Sequence, residues 1–215
     1  MWKPSRLTAK ERPLATGEIN LRQAWIFFFI MASACISLLM FVPKITFNIS
    51  MVIAVFILIY PLTKRFLKAP QFFLGITFGS GTLISYRLAS ANFSISIMIL
   101  FLGTVLWIIS FDTIYALEDI DDDRIIGINS TPILWEDKAI IISKILHLLF
   151  YVSLLLIFYV NQFSLVFLAI LFILLCTYLY QYSLVNEEKY LKAFKINHWV
   201  GMFATIGFAV EIFLI

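Results

Sequence analysis

Seven apolar runs, each about as long as a membrane-crossing helix, leave this chain of 215 residues little room for anything else. They cover residues 21–42, 45–62, 70–89, 93–117, 139–160, 163–184 and 196–215. In hydrocarbon every backbone N–H and C=O must be satisfied within the segment, so such runs are expected as helices. Composition agrees: 62% of residues are apolar and 13% charged, against about 45–50% and 25% in ordinary soluble domains. The expectation is an all-α integral membrane protein, a helical bundle of seven transmembrane helices forming one membrane-embedded domain over residues 1–215.

The connections set the orientation. Lys3, Arg6, Lys10, Arg12, Arg22, Lys64, Arg65, Lys68, Arg124, Lys138, Lys189, Lys192 and Lys195 fall on one side of the alternating spans, and Lys44 and Arg87 on the other. The positive-inside rule then puts the N-terminus and the longer connections in the cytoplasm and the C-terminus outside. The first twenty residues are polar and lack the apolar core of a secretory signal peptide, so none is expected. Cys35 and Cys176 both lie in apolar runs without CxxC spacing, which argues against structural zinc, redox chemistry or a disulfide framework. The basic residues are scattered among apolar spans, so nucleic acid is not an expected partner and the lipid bilayer is.

Chemistry is concentrated in one place. Five acidic residues, Glu118, Asp119, Asp121, Asp122 and Asp123, stand within six positions at the cytoplasmic end of the fourth run. If the helix runs on through them, Asp119 and Asp123 share a face, and Asp112, seven residues earlier, extends that face deeper, with Tyr115 between. Carboxylate oxygens in this pattern suit Mg2+, which is commonly held by one or two carboxylates together with substrate phosphates. The same run would also serve as a solvated acidic turn, but Asp112 lies inside an apolar stretch, where charge is costly and usually functional. Lys64, Arg65 and Lys68 follow the second run on the same side, with Arg12 in the first loop and Arg124 beside the acids. These cations suit a Mg-diphosphate, although topology alone would also place them there. His147, His198 and Glu211 are isolated and suit contacts between helices or an interface position. The acids sit at a helix end rather than at mid-membrane, and no Gly/Pro-interrupted helix pair is evident, which disfavours a transporter.

The stretch from Asp112 to Thr131, with its DxxYA, DxDDD and IGxxST elements, closely resembles the second aspartate motif of UbiA-type prenyltransferases. Residues 12–17 (RPLATG) resemble the loop before that family's third helix. Residues 60–65 (YPLTKR) resemble the end of its fourth, residues 70–75 (PQFFLG) with Phe78-Gly79 its fifth, and Lys192, Ala193, Phe194 and Asn197 the start of its last. The branch most like this chain acts on 4-hydroxybenzoate. The resemblance implies transfer of a polyprenyl group from polyprenyl diphosphate to the ring of 4-hydroxybenzoate, a step of ubiquinone biosynthesis, with Mg2+ as cofactor and a bacterial inner membrane as the location. It also implies that Asp119 and Asp123 are a metal-binding pair, that Arg12, Lys64, Arg65 and Arg124 bind the diphosphate, and that Asp112 and Tyr115 line the pocket.

Two departures stand out. Asn129 occupies a position that is usually lysine in the family, and the seven runs correspond to the last seven of nine family helices, without the first aspartate motif, NDxxDxxxD. The expectations are therefore an N-terminally shortened transferase, a second polypeptide that supplies the missing pair, or a non-catalytic remnant.

Overall fold

The computed structural model describes residues 13–89 and 92–213, which divide into two units, 1–54 and 55–215. The described residues are helical and form ten helices, besides single turns. The long ones are α1 (Leu21–Leu39), α2 (Lys44–Thr63), α3 (Pro70–Ala89), α4 (Ile95–Glu118), α7 (Ala139–Asn161), α8 (Leu165–Asn186) and α10 (Asn197–Phe213). Three short ones, α5 (Ile120–Ile126), α6 (Thr131–Trp135) and α9 (Tyr190–Lys195), sit in the connections. Seven long helices were expected and seven are found among the described residues. Six of the spans are apolar and long enough to cross a membrane; α3, which carries Gln71, Thr77, Ser80, Thr82, Ser85 and Arg87, falls outside that set.

In the first unit, a turn at Pro13–Thr16 leads through Gly17 to Asn20, whose side chain accepts from the Gln23 N–H while Gln23 reaches back to the Asn20 N–H. This capping box satisfies donors that α1 would otherwise leave open. Beyond its first turn α1 is apolar except for Ser33 and Ser37 and has no buried residue, a pattern that belongs in lipid rather than water.

The second unit inverts the polarity of a soluble core. On α7, Ser143, His147 and Ser153 are buried, whereas Ile141, Ile145, Leu148, Val152 and Leu155 face outward. A water-soluble helix does the reverse. The chain is an integral membrane protein.

Since lipid gives no hydrophobic drive for helices to associate, close packing and internal hydrogen bonds hold them together. α4 is the central element, packed on α3 and α7 and also against α9. Gly75 and Gly79 let α3 approach Val105 and Ile109 of α4; a Cβ on Gly79 would stand 2.8 Å from Val105 Cγ2. At Gly103 the approach is closer still, since a Cβ there would meet Ser153 Cβ of α7 at 2.7 Å. A polar knot ties α4, α7 and α8. Ser110 donates to the Ser143 carbonyl (2.9 Å) and Ser143 to the Ser110 carbonyl (3.1 Å), with the Tyr182 hydroxyl 3.1 and 3.0 Å from their two side-chain oxygens. His147, fully buried, packs edge-on against Tyr178 and Tyr182. Glu211 proves to be a helix-end partner, accepting from both the N–H (3.0 Å) and the hydroxyl (2.6 Å) of Ser164, the residue that caps α8.

Gly103→Ala should lower stability by about 1–3 kcal/mol, the usual cost of overpacking a filled contact. Gly81→Ala, where the added carbon meets nothing within 4 Å, should not lower it. Thermal unfolding of the two variants in detergent checks the contrast.

Candidate functional site

The acidic segment does not continue α4 as a straight helix. α4 ends at Glu118, and Asp119 (φ −108°, ψ 8°) joins it to α5. This corrects the expectation of one helix running through the acids. The Asp119 N–H turns back to the Ala116 carbonyl (3.3 Å), and the i, i+4 spacing resumes at once, the Asp123 N–H donating to the Asp119 carbonyl (2.9 Å). Asp119 and Asp123 therefore still stand one helical turn apart.

Burial divides the five acids into two kinds. Asp121 and Glu118 are exposed and Asp122 is half-buried, as a solvated acidic turn requires, and Asp121, Asp122 and Asp123 favourably occupy the first turn of α5. Asp119 and Asp123, however, are 9% and 1% exposed. Carboxylates so withdrawn are costly unless they are paired or hydrogen-bonded, a requirement that a solvated loop does not impose.

Asp112 completes the inward group. It lies on α4 within electrostatic reach of Lys64 and Asp123, and Tyr60, one turn before Lys64, is within reach of Asp112. Lys64 follows the end of α2, where the Thr63 hydroxyl donates to the Tyr60 carbonyl (2.6 Å). Tyr115, one turn beyond Asp112, tilts against Phe194 of α9 with ring centroids 4.9 Å apart, and Phe111 meets the same ring edge-on at 5.8 Å. Trp107 continues this aromatic stripe and donates through Nε1 to the Asn197 side-chain oxygen at 2.8 Å. The structure thus brings Lys64 and Asp123 within electrostatic reach of Asp112, with Asp119 one helical turn from Asp123 and Tyr115 one helical turn from Asp112 and turned toward an aromatic wall. Arg65 and Arg124 stand at exposed positions, and Arg12 lies outside the described residues.

The backbone holds this group in place. Gly127 ends α5 in the left-handed region (φ 73°), and the N–H groups of Gly127 and Ile128 return to Arg124 and Asp123, a glycine-terminated helix end. The Asn129 N–H then donates to the Lys64 carbonyl (2.9 Å), tying the acidic segment to the basic end of α2. Because a backbone N–H makes this bond, it is independent of the side chain at 129. The Thr131 N–H donates to the Gln71 Oε1 (3.0 Å), and the Thr131 and Thr113 hydroxyls meet at 2.7 Å. Tyr60, Gln71, Thr113 and Thr131 belong to the surroundings of the site, although residue type alone did not single them out as site residues. Their signal in the sequence was their place inside the quoted family-like segments.

The donor set is the one Mg2+ prefers. Among the described residues no group of three or more His, Cys, Asp or Glu converges as a closed metal cage. Two carboxylates with further oxygens from water and a bound phosphate is the mode in which Mg2+ is usually held, so the pair fits that ion without forming a complete cage alone.

Residues 6–207 match the family model of the UbiA prenyltransferase family. The chain belongs to the UbiA prenyltransferase family. It is 33% identical over 208 residues to a 4-hydroxybenzoate octaprenyltransferase of Vesicomyosocius okutanii, an alignment covering 94% of this chain and 76% of that one. It is 34% identical over 211 residues to a protein of the same name from Legionella pneumophila (strain Paris), covering 95% and 73%. Among solved structures it resembles a UbiA homolog from Aeropyrum pernix K1, with a TM-score of 0.82 at 22% identity over 96% of this chain and 78% of that one. A digeranylgeranylglyceryl phosphate synthase structure matches with a TM-score of 0.62 at 23% identity, covering 96% and 75%. At these identities the structural likenesses speak to the fold, which is that of the UbiA family, and the family membership makes the chain a prenyltransferase homologue.

Gly127 gives a test of the site's frame. A Cβ there meets no neighbour within 4 Å, so only the left-handed backbone opposes substitution, and Gly127→Ala should cost about 1–2 kcal/mol of stability. Gly127→Asn should cost less, because asparagine tolerates that conformation. Thermal unfolding of the pair in detergent would reveal an origin in packing if the larger asparagine proved the more damaging.

Proposed function

We propose that this prenyltransferase moves a polyprenyl group from polyprenyl diphosphate to the ring carbon ortho to the hydroxyl of 4-hydroxybenzoate. The observation that carries the reading is the juxtaposition of Lys64, Asp112 and Asp123 at one end of a membrane-embedded bundle. The acceptor is inferred from the names of the relatives, which share about a third of their residues with this chain across nearly all of it. The site faces the cytoplasmic side of a bacterial inner membrane in this reading, because thirteen of the sixteen Lys and Arg flank that side.

The residues divide the work by chemistry. Asp119 and Asp123 would hold Mg2+, which when bound supplies charge neutralisation to the leaving diphosphate. Lys64 offers a half-buried ammonium at the same place, and Arg65, Arg124 and Arg12 offer guanidinium groups suited to phosphate oxygens. With the diphosphate so held, the allylic C–O bond breaks and both its electrons leave with the diphosphate. The ring carbon of the acceptor then forms the new C–C bond to the allylic cation, and loss of the ring proton restores aromaticity. Asp112 and Tyr115 would line the pocket beside the metal-binding pair. The apolar helices exclude water, which would otherwise capture the cation, and keep the polyprenyl tail in the phase where it is soluble.

The direct experiment is transfer of a radiolabelled polyprenyl group to 4-hydroxybenzoate by membranes containing this chain, with Mg2+ and with EDTA. Mg-dependent product is expected, and Asp119→Ala and Asp123→Ala should each reduce it by at least about 100-fold. Full activity in both variants would overturn the assignment of the pair. Adding a second polypeptide that carries an NDxxDxxxD motif tests the partner reading: product only on its addition would mean that two chains build the site. No product under any of these conditions would favour the non-catalytic remnant.

A further inference from the structure

The IGxxST segment following the acidic turn has no part in the chemistry above, yet it is tied to the protein by side chains sixty and eighteen residues away. α5 has seven residues, too few to hold a helical conformation on its own. The location of Asp123 is therefore inherited from what anchors α5 at its two ends. One end is continuous with α4 through Asp119. The other is the Asn129–Thr131 segment, bound to Lys64, Gln71 and Thr113.

Proton counting fixes the direction of this relay. The Thr113 hydroxyl donates its single proton to the Ile109 carbonyl (2.6 Å), so in the 2.7 Å contact between the two threonines Thr131 is the donor and Thr113 the acceptor. Thr131 thus gives its backbone proton to Gln71 on α3 and its hydroxyl proton to Thr113 on α4. Gln71 is 1% exposed, and Thr113 and Thr131 are fully buried. Removing one partner of so buried a bond leaves the other at the full cost of its desolvation. Thr113 follows Asp112 along α4, so the relay fixes the segment that ends α5 to the helix that carries the acid.

We propose that Gln71 is a positioning residue for the diphosphate-metal site, acting through Thr131 to hold Asp123 in register with Asp119 and Asp112. The inference rests on the proposed metal-diphosphate chemistry but not on the identity of the acceptor. Two neighbouring positions serve as internal controls. Ser130 is as buried as Thr131, but its hydroxyl makes no hydrogen bond to any described residue. Thr77 lies on the same helix as Gln71 and is similarly buried, but its hydroxyl bonds to its own helix at the Phe73 carbonyl (2.7 Å).

The test is binding of Mn2+ in the presence of inorganic pyrophosphate, followed by electron paramagnetic resonance on the full chain in lipid nanodiscs. Gln71→Leu and Thr131→Val should each weaken Mn2+ binding by about 10-fold or more, the usual effect of removing a residue that orients metal ligands. Thr131→Ser, which keeps both donors, should restore it, and Ser130→Ala and Thr77→Val should leave it unchanged. In the transfer assay the same two variants should raise KM for the diphosphate and leave KM for the aromatic acceptor unaltered, a split that general loosening of the fold would not give. Equal Mn2+ binding by Gln71→Leu and the native chain would overturn the proposal, as would native protein that binds no Mn2+, or controls that fall as far as Gln71→Leu. Weakened binding in Gln71→Leu and Thr131→Val beside a native chain that transfers nothing to 4-hydroxybenzoate would leave this inference standing and remove the acceptor reading.

Discussion

A carboxylate cannot be left bare at the edge of hydrocarbon, and the arrangement of residues 55–215 follows from that one restriction. Asp112, Asp119 and Asp123 are withdrawn from solvent on or beside α4, where an unmatched charge would be costly. A helix bearing such residues must sit in the middle of its neighbours. α4 does: α3 and α7 are brought close by Gly75, Gly79 and Gly103, and α9 closes a further side with Phe194 against Tyr115. The small residues and the Ser110–Ser143–Tyr182 knot are therefore part of the same design as the acids. They let the helices approach without a hydrophobic drive and so provide walls for a polar site.

The long helices were legible in the sequence because a membrane leaves the backbone few choices. For α3 the expected bounds, 70–89, coincide with the helix found, since Pro70 opens it in the position where proline fits best. Elsewhere the ends move by one to three residues for local reasons: Ser94 and Ser164 cap α4 and α8, so those helices begin after the apolar run does. The acid cluster was also legible, since five carboxylates in six positions contradict everything around them. Its division into three acids at or near the surface and a buried pair was not, because periodicity gives a face but not the depth of each residue upon it.

Other features had no signal of the kind sequence reading relies on. The interruption at Asp119 involves neither glycine nor proline and shows only in backbone angles. The tie between Asn129 and Lys64 is made by main-chain atoms, so neither residue type announces it. Gln71 and Thr131 are sixty positions apart, and their pairing depends on the packing of α3 against α4. Glu211 illustrates the opposite case: an isolated carboxylate in the last span, suited by its position to a contact between helices, finds that contact in Ser164 at the start of α8.

The central proposal is that Asp119 and Asp123 bind a divalent ion together with a prenyl diphosphate. Electron–nuclear double resonance on Mn2+-loaded chain in nanodiscs, with a prenyl thiodiphosphate that resists cleavage, tests it most directly. The account predicts phosphorus coupling to the bound Mn2+ that disappears in the Asp119→Asn, Asp123→Asn double variant. Phosphorus coupling that persists undiminished in that variant would contradict it.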